Sequence, residues 1–152
     1  MIIRPATPAD IPAIRNIERQ SDTAAHWGER EYESPFAPDA PPRVALVAVN
    51  EIDDALLGFL IARCVLQQWE IENVVVAPEH RRGGIGGKLV GELLNRARQA
   101  GVEAVDLEVR ESNLAARQLY EKLGFNAVGR RPWYYQNPFE DALLLRISIS
   151  VP

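Results

Sequence analysis

The run Val74-Val75-Val76-Ala77-Pro78-Glu79-His80-Arg81-Arg82-Gly83-Gly84-Ile85-Gly86-Gly87-Lys88-Leu89-Val90 holds the groups of this chain best suited to gripping an anion. Three consecutive valines suit a buried strand, and Pro78 has no amide hydrogen with which to continue a ladder. Four glycines in five positions then leave no Cβ to keep a ligand from the backbone. A helix that starts near Ile85 has first amides without an intrahelical partner. These amides, the positive end of the helix dipole and the guanidinium groups of Arg81 and Arg82 all favour negative charge at the loop. The chemistry this suits is the binding of a pyrophosphate by main-chain groups, and a tight turn alone needs fewer glycines. Two well-known phosphate loops do not fit. Lys88 is followed by Leu89 where a P-loop needs Ser or Thr, and Gly84, Gly86 and Gly87 lack the Gly-x-Gly-x-x-Gly spacing of a dinucleotide fingerprint.

Arg81, Gly84 and Gly86 do fit Arg/Gln-x-x-Gly-x-Gly/Ala, and on that pattern the loop resembles motif A of the GNAT acetyltransferases. The opening Ile3-Arg4-Pro5-Ala6-Thr7-Pro8-Ala9-Asp10-Ile11 is similar to that family's first strand and first helical turn. The stretch from Leu107 through Glu108, Asn113 and Tyr120 to Phe125 resembles its motif B, a more specific match than the glycine loop. Tyr134-Tyr135 followed by Glu140-Asp141-Ala142 resembles the branch that acetylates protein N-termini, the bacterial ribosomal-protein alanine acetyltransferases above all. The resemblance implies the GNAT fold, acetyl-CoA as co-substrate and a primary amine as acceptor, foremost the N-terminal α-amine of a protein such as a ribosomal one. A small amine such as an amino acid, a polyamine or an antibiotic is the alternative acceptor. A non-catalytic acyl-CoA-binding module is the reading of a different class, and the joint presence of Glu108, Asn113 and Tyr120 speaks against it.

Acetyl transfer from a thioester needs three things: the amine loses a proton, the carbonyl oxygen is stabilised as it gains charge, and the departing thiolate is protonated. The resemblance implies how they are supplied. Splayed central strands would free the main-chain groups of Val74, Val75 and Val76 for the pantetheine arm and the acetyl oxygen. Arg81, Arg82, Gly83, Gly84, Ile85, Gly86 and Gly87 would hold the phosphates. Tyr120 would sit near the sulfur, with a tyrosine packed on the helix stripe with Leu119 and Leu123 as the lesser alternative. Asn113 would contact the cofactor, although an N-cap role alone would also explain it. Two residues match glutamates used as proton acceptors in the family. Glu108 is preferred, because burial at the end of an apolar strand would raise its pKa, while Glu70 is the alternative base. Glu70 and Glu72 alternate with Ile71 and Asn73 as a solvated outer face would. Tyr134 and Tyr135 either line a peptide groove, the substrate-binding reading, or cover a sheet edge. Trp69, Glu70, Glu72 and Pro132-Trp133 depart from the alanine acetyltransferase pattern and leave the acceptor open. His26 and His80 suit a surface or phosphate-loop role and are too few for a metal site.

The elements that must position these groups follow from periodicity. Ile2 to Arg4 reads as a short strand, and Thr7 or Asp10 caps a helix with Ile11, Ile14 and Ile17 on one face. Ser21 to Ala40 reads as a short helix and a loop. Strands are expected over Val44 to Val49, Leu56 to Val65, Trp69 to Val76, Ala104 to Val109, Asn126 to Arg131 and Ala142 to Ile149. Helices are expected from Ile85 to Gly101, with Leu89, Leu93, Leu94 and Ala97 as its stripe, and from Leu114 to Leu123. Strands first in a run and then alternating with helices imply an α/β (α+β) architecture: a mixed, mostly antiparallel sheet of about seven strands flanked by helices. The 152 residues, 47% of them hydrophobic, suit one domain over 1–152. A net charge of -4 argues against nucleic acid as a main partner. The single cysteine, Cys64, reads as a structural thiol in an apolar strand and permits no internal disulfide. With no signal-peptide pattern and no apolar run of membrane length, a cytoplasmic protein without membrane contact is expected.

Overall fold

The continuous apolar runs Leu46 to Val49 and Leu57 to Ala62 are buried on both strand faces, and a computed structural model assembles the strands into one sheet. It describes residues 1–21, 36, 42–136 and 138–149. The strands are β1 (Ile2–Pro5), β2 (Arg43–Val49), β3 (Leu56–Val65), β4 (Gln68–Val76), β5 (Ala104–Arg110), β6 (Asn126–Tyr135) and β7 (Glu140–Ser148), in the order β1-β2-β3-β4-β5-β7-β6. Every neighbouring pair is antiparallel except β4 with β5, which run parallel. Among the described residues the helices are α1 (Ile11–Arg19), α2 (Ile85–Gln99) and α3 (Leu114–Lys122). The expected strand count, the mixed pairing and the flanking helices are all present.

The two sheet faces carry separate cores. On one, the stripe Leu89, Leu93, Leu94 and Ala97 of α2 joins Leu46, Leu60, Val105 and Leu107, with Tyr120 of α3 at its margin. On the other, Ile11, Ile14 and Ile17 of α1 meet Val47, Phe59, Ile61 and Val75. A bulge in β4 decides which residue faces which core. Ile71 pairs with Ala62 and Asn73 with Ile61, so Glu72 is an extra residue with no partner across the ladder. Before it Trp69 and Ile71 belong to the α2 side; after it Val74 and Val76 do, while Val75 turns to α1. The alternation expected for Glu70 to Asn73 holds in burial, with Glu70 exposed and Ile71 and Asn73 buried, while the core faced by the later residues changes at the bulge. Glu72 does not stand on a solvated face: its carboxylate accepts from Arg43 Nε at 2.7 Å, with both side chains largely covered.

Most element ends lie within one or two residues of expectation, and the last two strands depart most. β6 runs on through Pro132 to Tyr135, because an edge strand has no outer ladder for proline to interrupt. β7 begins at Glu140, two residues before the expected start. The helix and loop expected over Ser21 to Ala40, with His26, lie outside the described residues apart from Ser21 and Phe36. Near the N-terminus, Arg4 grips Asp10 through two bonds of 2.8 and 3.0 Å, and the backbone N–H of Thr7 donates to Asp10 at 2.8 Å, which fixes the entry to α1.

Candidate active site

The parallel ladder between β4 and β5 ends at Ile71 and Leu107. Beyond that point β4 continues to Val76 on β3, and β5 continues to Arg110 on β7, so the two strands diverge into a V. A bulge strengthens local twist, and the one at Glu72 sits where the divergence starts. Within the V lies a cleft of about 1080 Å³ whose lining includes Val74, Val75, Val76, Glu70, Glu108, Asn113, Tyr120, Tyr134 and Tyr135. Among the described residues no strand pairs with the β5-facing side of Val74 to Val76, as a splayed pair requires.

One end of the cleft is closed by the glycine loop. Arg82 and Gly84 take left-handed conformations, at φ 67° and 80°, and turn the chain from Pro78–His80 into α2. Among the described residues no side chain caps α2, and the first helical bond is from the N–H of Lys88 to the carbonyl of Gly84 at 3.1 Å. The amides of Ile85, Gly86 and Gly87 precede that bond, on a segment that lines the cleft. A Cβ on Gly86 or Gly87 would lie 3.5 or 3.3 Å from Leu119 of α3, so these glycines also set how closely α3 approaches. Arg81 and Arg82 border the cleft with His80, and Arg81 Nε donates to the Val76 carbonyl at 3.3 Å. Gly83 is set back from the lining, nearest to the His80 carbonyl.

Tyr120 and Asn113 come from α3. Asn113 is its N-cap, with Oδ1 accepting from the N–H of Ala116 at 3.2 Å, and it also borders the cleft. Tyr120 is only 8% exposed, with its ring edge-on to Phe125 at 5.7 Å. Burial, and then the nearby Tyr135, push its hydroxyl up to about 12, so it carries its proton throughout the neutral range.

The far end is acidic and aromatic. Glu108 is largely covered and pairs with Arg131 Nη2 at 3.1 Å. Glu70 is raised above the usual carboxylate range, first by burial and then by the charges of Glu108 and Glu72, with Asp106 adding to them. Tyr134 and Tyr135 close the wall, their rings edge-to-face at 5.0 Å. Arg110 lies 4.2 Å over Tyr135 and Arg131 lies 4.6 Å over Tyr134. Burial and then Glu108 push the Tyr135 hydroxyl up to about 12. The fold thus brings together every residue the sequence reading singled out for the site, with Gly83 at one remove.

Some contributors were not read from sequence. A Cβ on Gly58 would stand 2.9 Å from the Val75 carbonyl and 3.3 Å from Ile85, so this glycine lets β3 and the start of α2 close on β4. A glycine inside the apolar strand Leu56 to Val65 was the available signal. Glu140 accepts from the N–H and Oγ of Ser112 at 2.9 and 3.0 Å and from Arg110 at 3.3 Å, which anchors the turn before α3. Cys64 is half-buried with its thiol pushed up to about 11, as a structural cysteine would be.

The sequence profile described as the acetyltransferase (GNAT) family matches residues 11–125. The chain belongs to the GNAT acetyltransferase family. It is 33% identical over 144 residues, 93% of each chain, to the [ribosomal protein bS18]-alanine N-acetyltransferase of Escherichia coli (strain K12). The crystal structure of the ribosomal-protein-S18-alanine N-acetyltransferase from Escherichia coli superposes with a TM-score of 0.83 at 31% identity, covering 99% of this chain and 95% of that one. An aminoglycoside 6′-N-acetyltransferase complexed with coenzyme A shares the fold, with a TM-score of 0.81 at 22% identity over 100% and 99% of the two chains. As a GNAT enzyme the protein is an N-acetyltransferase whose co-substrate is acetyl-CoA. Among the described residues there is no group of side chains suited to a metal ion, and no helix is long and apolar enough to cross a membrane.

Proposed function

We propose that this GNAT enzyme acetylates the N-terminal α-amine of a protein, a ribosomal protein foremost. The observation that carries this reading is the continuity of the V-shaped cleft, from the uncapped start of α2 at one end to Tyr134, Tyr135 and two carboxylates at the other. Likeness along almost the whole chain to an enzyme named for a ribosomal-protein alanine supports it. The pyrophosphate rests on the amides of Ile85, Gly86 and Gly87 with Arg81 and Arg82 beside it, Gly83 and Gly84 shape the loop, and Asn113 borders the same channel. The pantetheine arm lies along the edge of Val74, Val75 and Val76 that no strand covers among the described residues, where main-chain groups also meet the acetyl oxygen.

The amine nitrogen attacks the thioester carbonyl carbon, and collapse of the tetrahedral adduct breaks the C–S bond. The thiolate takes the proton of the Tyr120 hydroxyl, while the proton lost by the amine passes, directly or through water, to Glu108. Glu108 is chosen because it borders the same cleft as Tyr120 and Tyr135 and lies on β5 just before Asn113 and α3. Arg131 must yield its pairing with Glu108 as the cationic acceptor arrives. Glu70 is the alternative base, with its raised carboxyl on the neighbouring strand. Tyr134 and Tyr135 form the wall against which the first residues of the acceptor lie. One domain over 1–152, acting in the cytoplasm, completes the reading.

Coenzyme A release by the purified protein, measured across N-terminal peptides, amino acids, polyamines and aminoglycosides, tests the acceptor. Turnover concentrated in the peptides is expected; turnover confined to a small amine would replace this reading with the alternative acceptor.

A further inference from the structure

In a regular strand, consecutive side chains point to opposite faces, yet Tyr134 and Tyr135 border the same cleft with their rings 5.0 Å apart. The ladder of β6 with β7 explains how. Arg131 pairs with Ala142 and Tyr135 pairs with Glu140, so Pro132, Trp133 and Tyr134 stand opposite Asp141 alone. This wide bulge passes through Trp133 at φ 57°, a left-handed conformation that is costly for a bulky residue. Something must hold it there. The Trp133 ring does not, since it is 72% exposed and touches Phe139 across the surface.

What holds it is the side chain opposite. Asp141 Oδ1 accepts from the N–H of Trp133 at 3.0 Å, and Oδ2 accepts from Arg130 Nη1 at 2.8 Å. Arg130 reaches on to Glu111 at 2.8 Å, and the N–H of Glu111 donates to the Asp141 carbonyl at 3.2 Å. The carboxylate therefore ties the bulge to the end of β5, the strand that carries Glu108. Arg130 and the Trp133 amide together hold its pKa below the usual carboxylate range, so it stays ionised through neutral pH.

We propose that Asp141 is a positioning residue for the acceptor: by holding Trp133 in the left-handed conformation, it keeps Tyr134 and Tyr135 side by side on the acceptor wall. This rests on the reading of the two tyrosines given above. Asp141 touches no reacting atom, so its loss acts through the tyrosines.

The test combines the crystal structure of Asp141→Ala with steady-state kinetics on a short peptide bearing a free N-terminal alanine. The expected structure has residue 133 relaxed to negative φ and at least one tyrosine turned out of the cleft. The expected kinetics are a rise in peptide KM of roughly tenfold to a hundredfold, the scale on which small misplacements act, with acetyl-CoA affinity unchanged. Asp141→Asn keeps an oxygen for the Trp133 amide and should fall between wild type and Asp141→Ala. Trp133→Gly alone should resemble wild type. Added to Asp141→Ala it should recover most of the lost peptide affinity, because glycine takes a positive φ without strain; a role in stability alone would give no such rescue in KM. Tyr134→Ala and Tyr135→Ala give the size of the tyrosine contribution. Tyrosines still in the cleft of Asp141→Ala, or no rescue by Trp133→Gly, would overturn the positioning role. Tyrosines displaced with peptide KM unchanged would instead overturn the acceptor wall and leave the hold of Asp141 on the bulge standing.

Discussion

Tyr120 and the two glutamates illustrate how much of a residue's chemistry its surroundings decide. A buried phenol that keeps its proton to about 12 cannot act as a base at neutral pH, but it can donate to a thiolate formed within the same cleft. Tyr120→Phe is expected to lower kcat by roughly ten to ten-thousand-fold, the range for loss of a general acid, with acetyl-CoA affinity little changed. Stopped-flow and steady-state rates check it, and wild-type kcat would hand the proton to water or another group. For the base, Glu108→Gln should remove or shift the rising limb of the kcat/KM profile with pH, and Glu70→Gln should leave it in place. The amine titrates in the same direction, so one acceptor must serve for all variants. Glu70 also carries a stability prediction. Its raised pKa means that the fold favours its protonated form, so wild type is penalised as pH rises through that value and the carboxylate forms beside Glu108 and Glu72. Glu70→Gln should melt higher than wild type at neutral pH, and the gain should vanish below about pH 4, where the free carboxyl is protonated too. A gain that persists at low pH would point to packing and not charge.

At the scale of elements, the glycine loop was readable because its requirements are local: a turn, close backbone approach and an uncapped helix start all show as glycines at fixed offsets. The strand to Val76 and the helix from Ile85 were readable for the same reason. The bulge at Glu72 was not, since it exists only in the register of β4 against β3, where it changes which core the following residues face. The run of β6 through Pro132 was missed because nothing local says that the strand is an edge. The pairing of Glu108 with Arg131 joins strands that are distant in sequence and left no trace there. The loop reading itself can be tested by substitutions that separate space from charge. A Cβ at Gly86 would meet Leu119 and Val76 at 3.5 and 3.7 Å, ordinary contact distances. Gly86→Ala should therefore keep acetyl-CoA affinity within a few-fold, while Gly86→Asp sets a carboxylate against the phosphates and should abolish binding measurable by calorimetry. Equal affinity in both variants would remove the pyrophosphate from this loop.

For the whole molecule, the sheet divides the work. The α2 and α3 side holds the loop, Asn113 and Tyr120, and the V between β4 and β5 joins it to the wall formed by the end of β6. Fold class, strand number and the order of most elements followed from periodicity and motif resemblance, because two faces of buried branched residues leave few alternatives. The acceptor did not, since it depends on how Glu70, Glu108, Tyr134 and Tyr135 meet across three strands. The claim that rests on their meeting is transfer to a protein α-amine, and one product measurement addresses it. A peptide with an N-terminal alanine and an internal lysine, incubated with enzyme and acetyl-CoA, is fragmented by tandem mass spectrometry to place the acetyl group. The account predicts acetylation of the alanine α-amine with the lysine unmodified; an acetyl group on the lysine ε-amine, or an unmodified peptide, would contradict it.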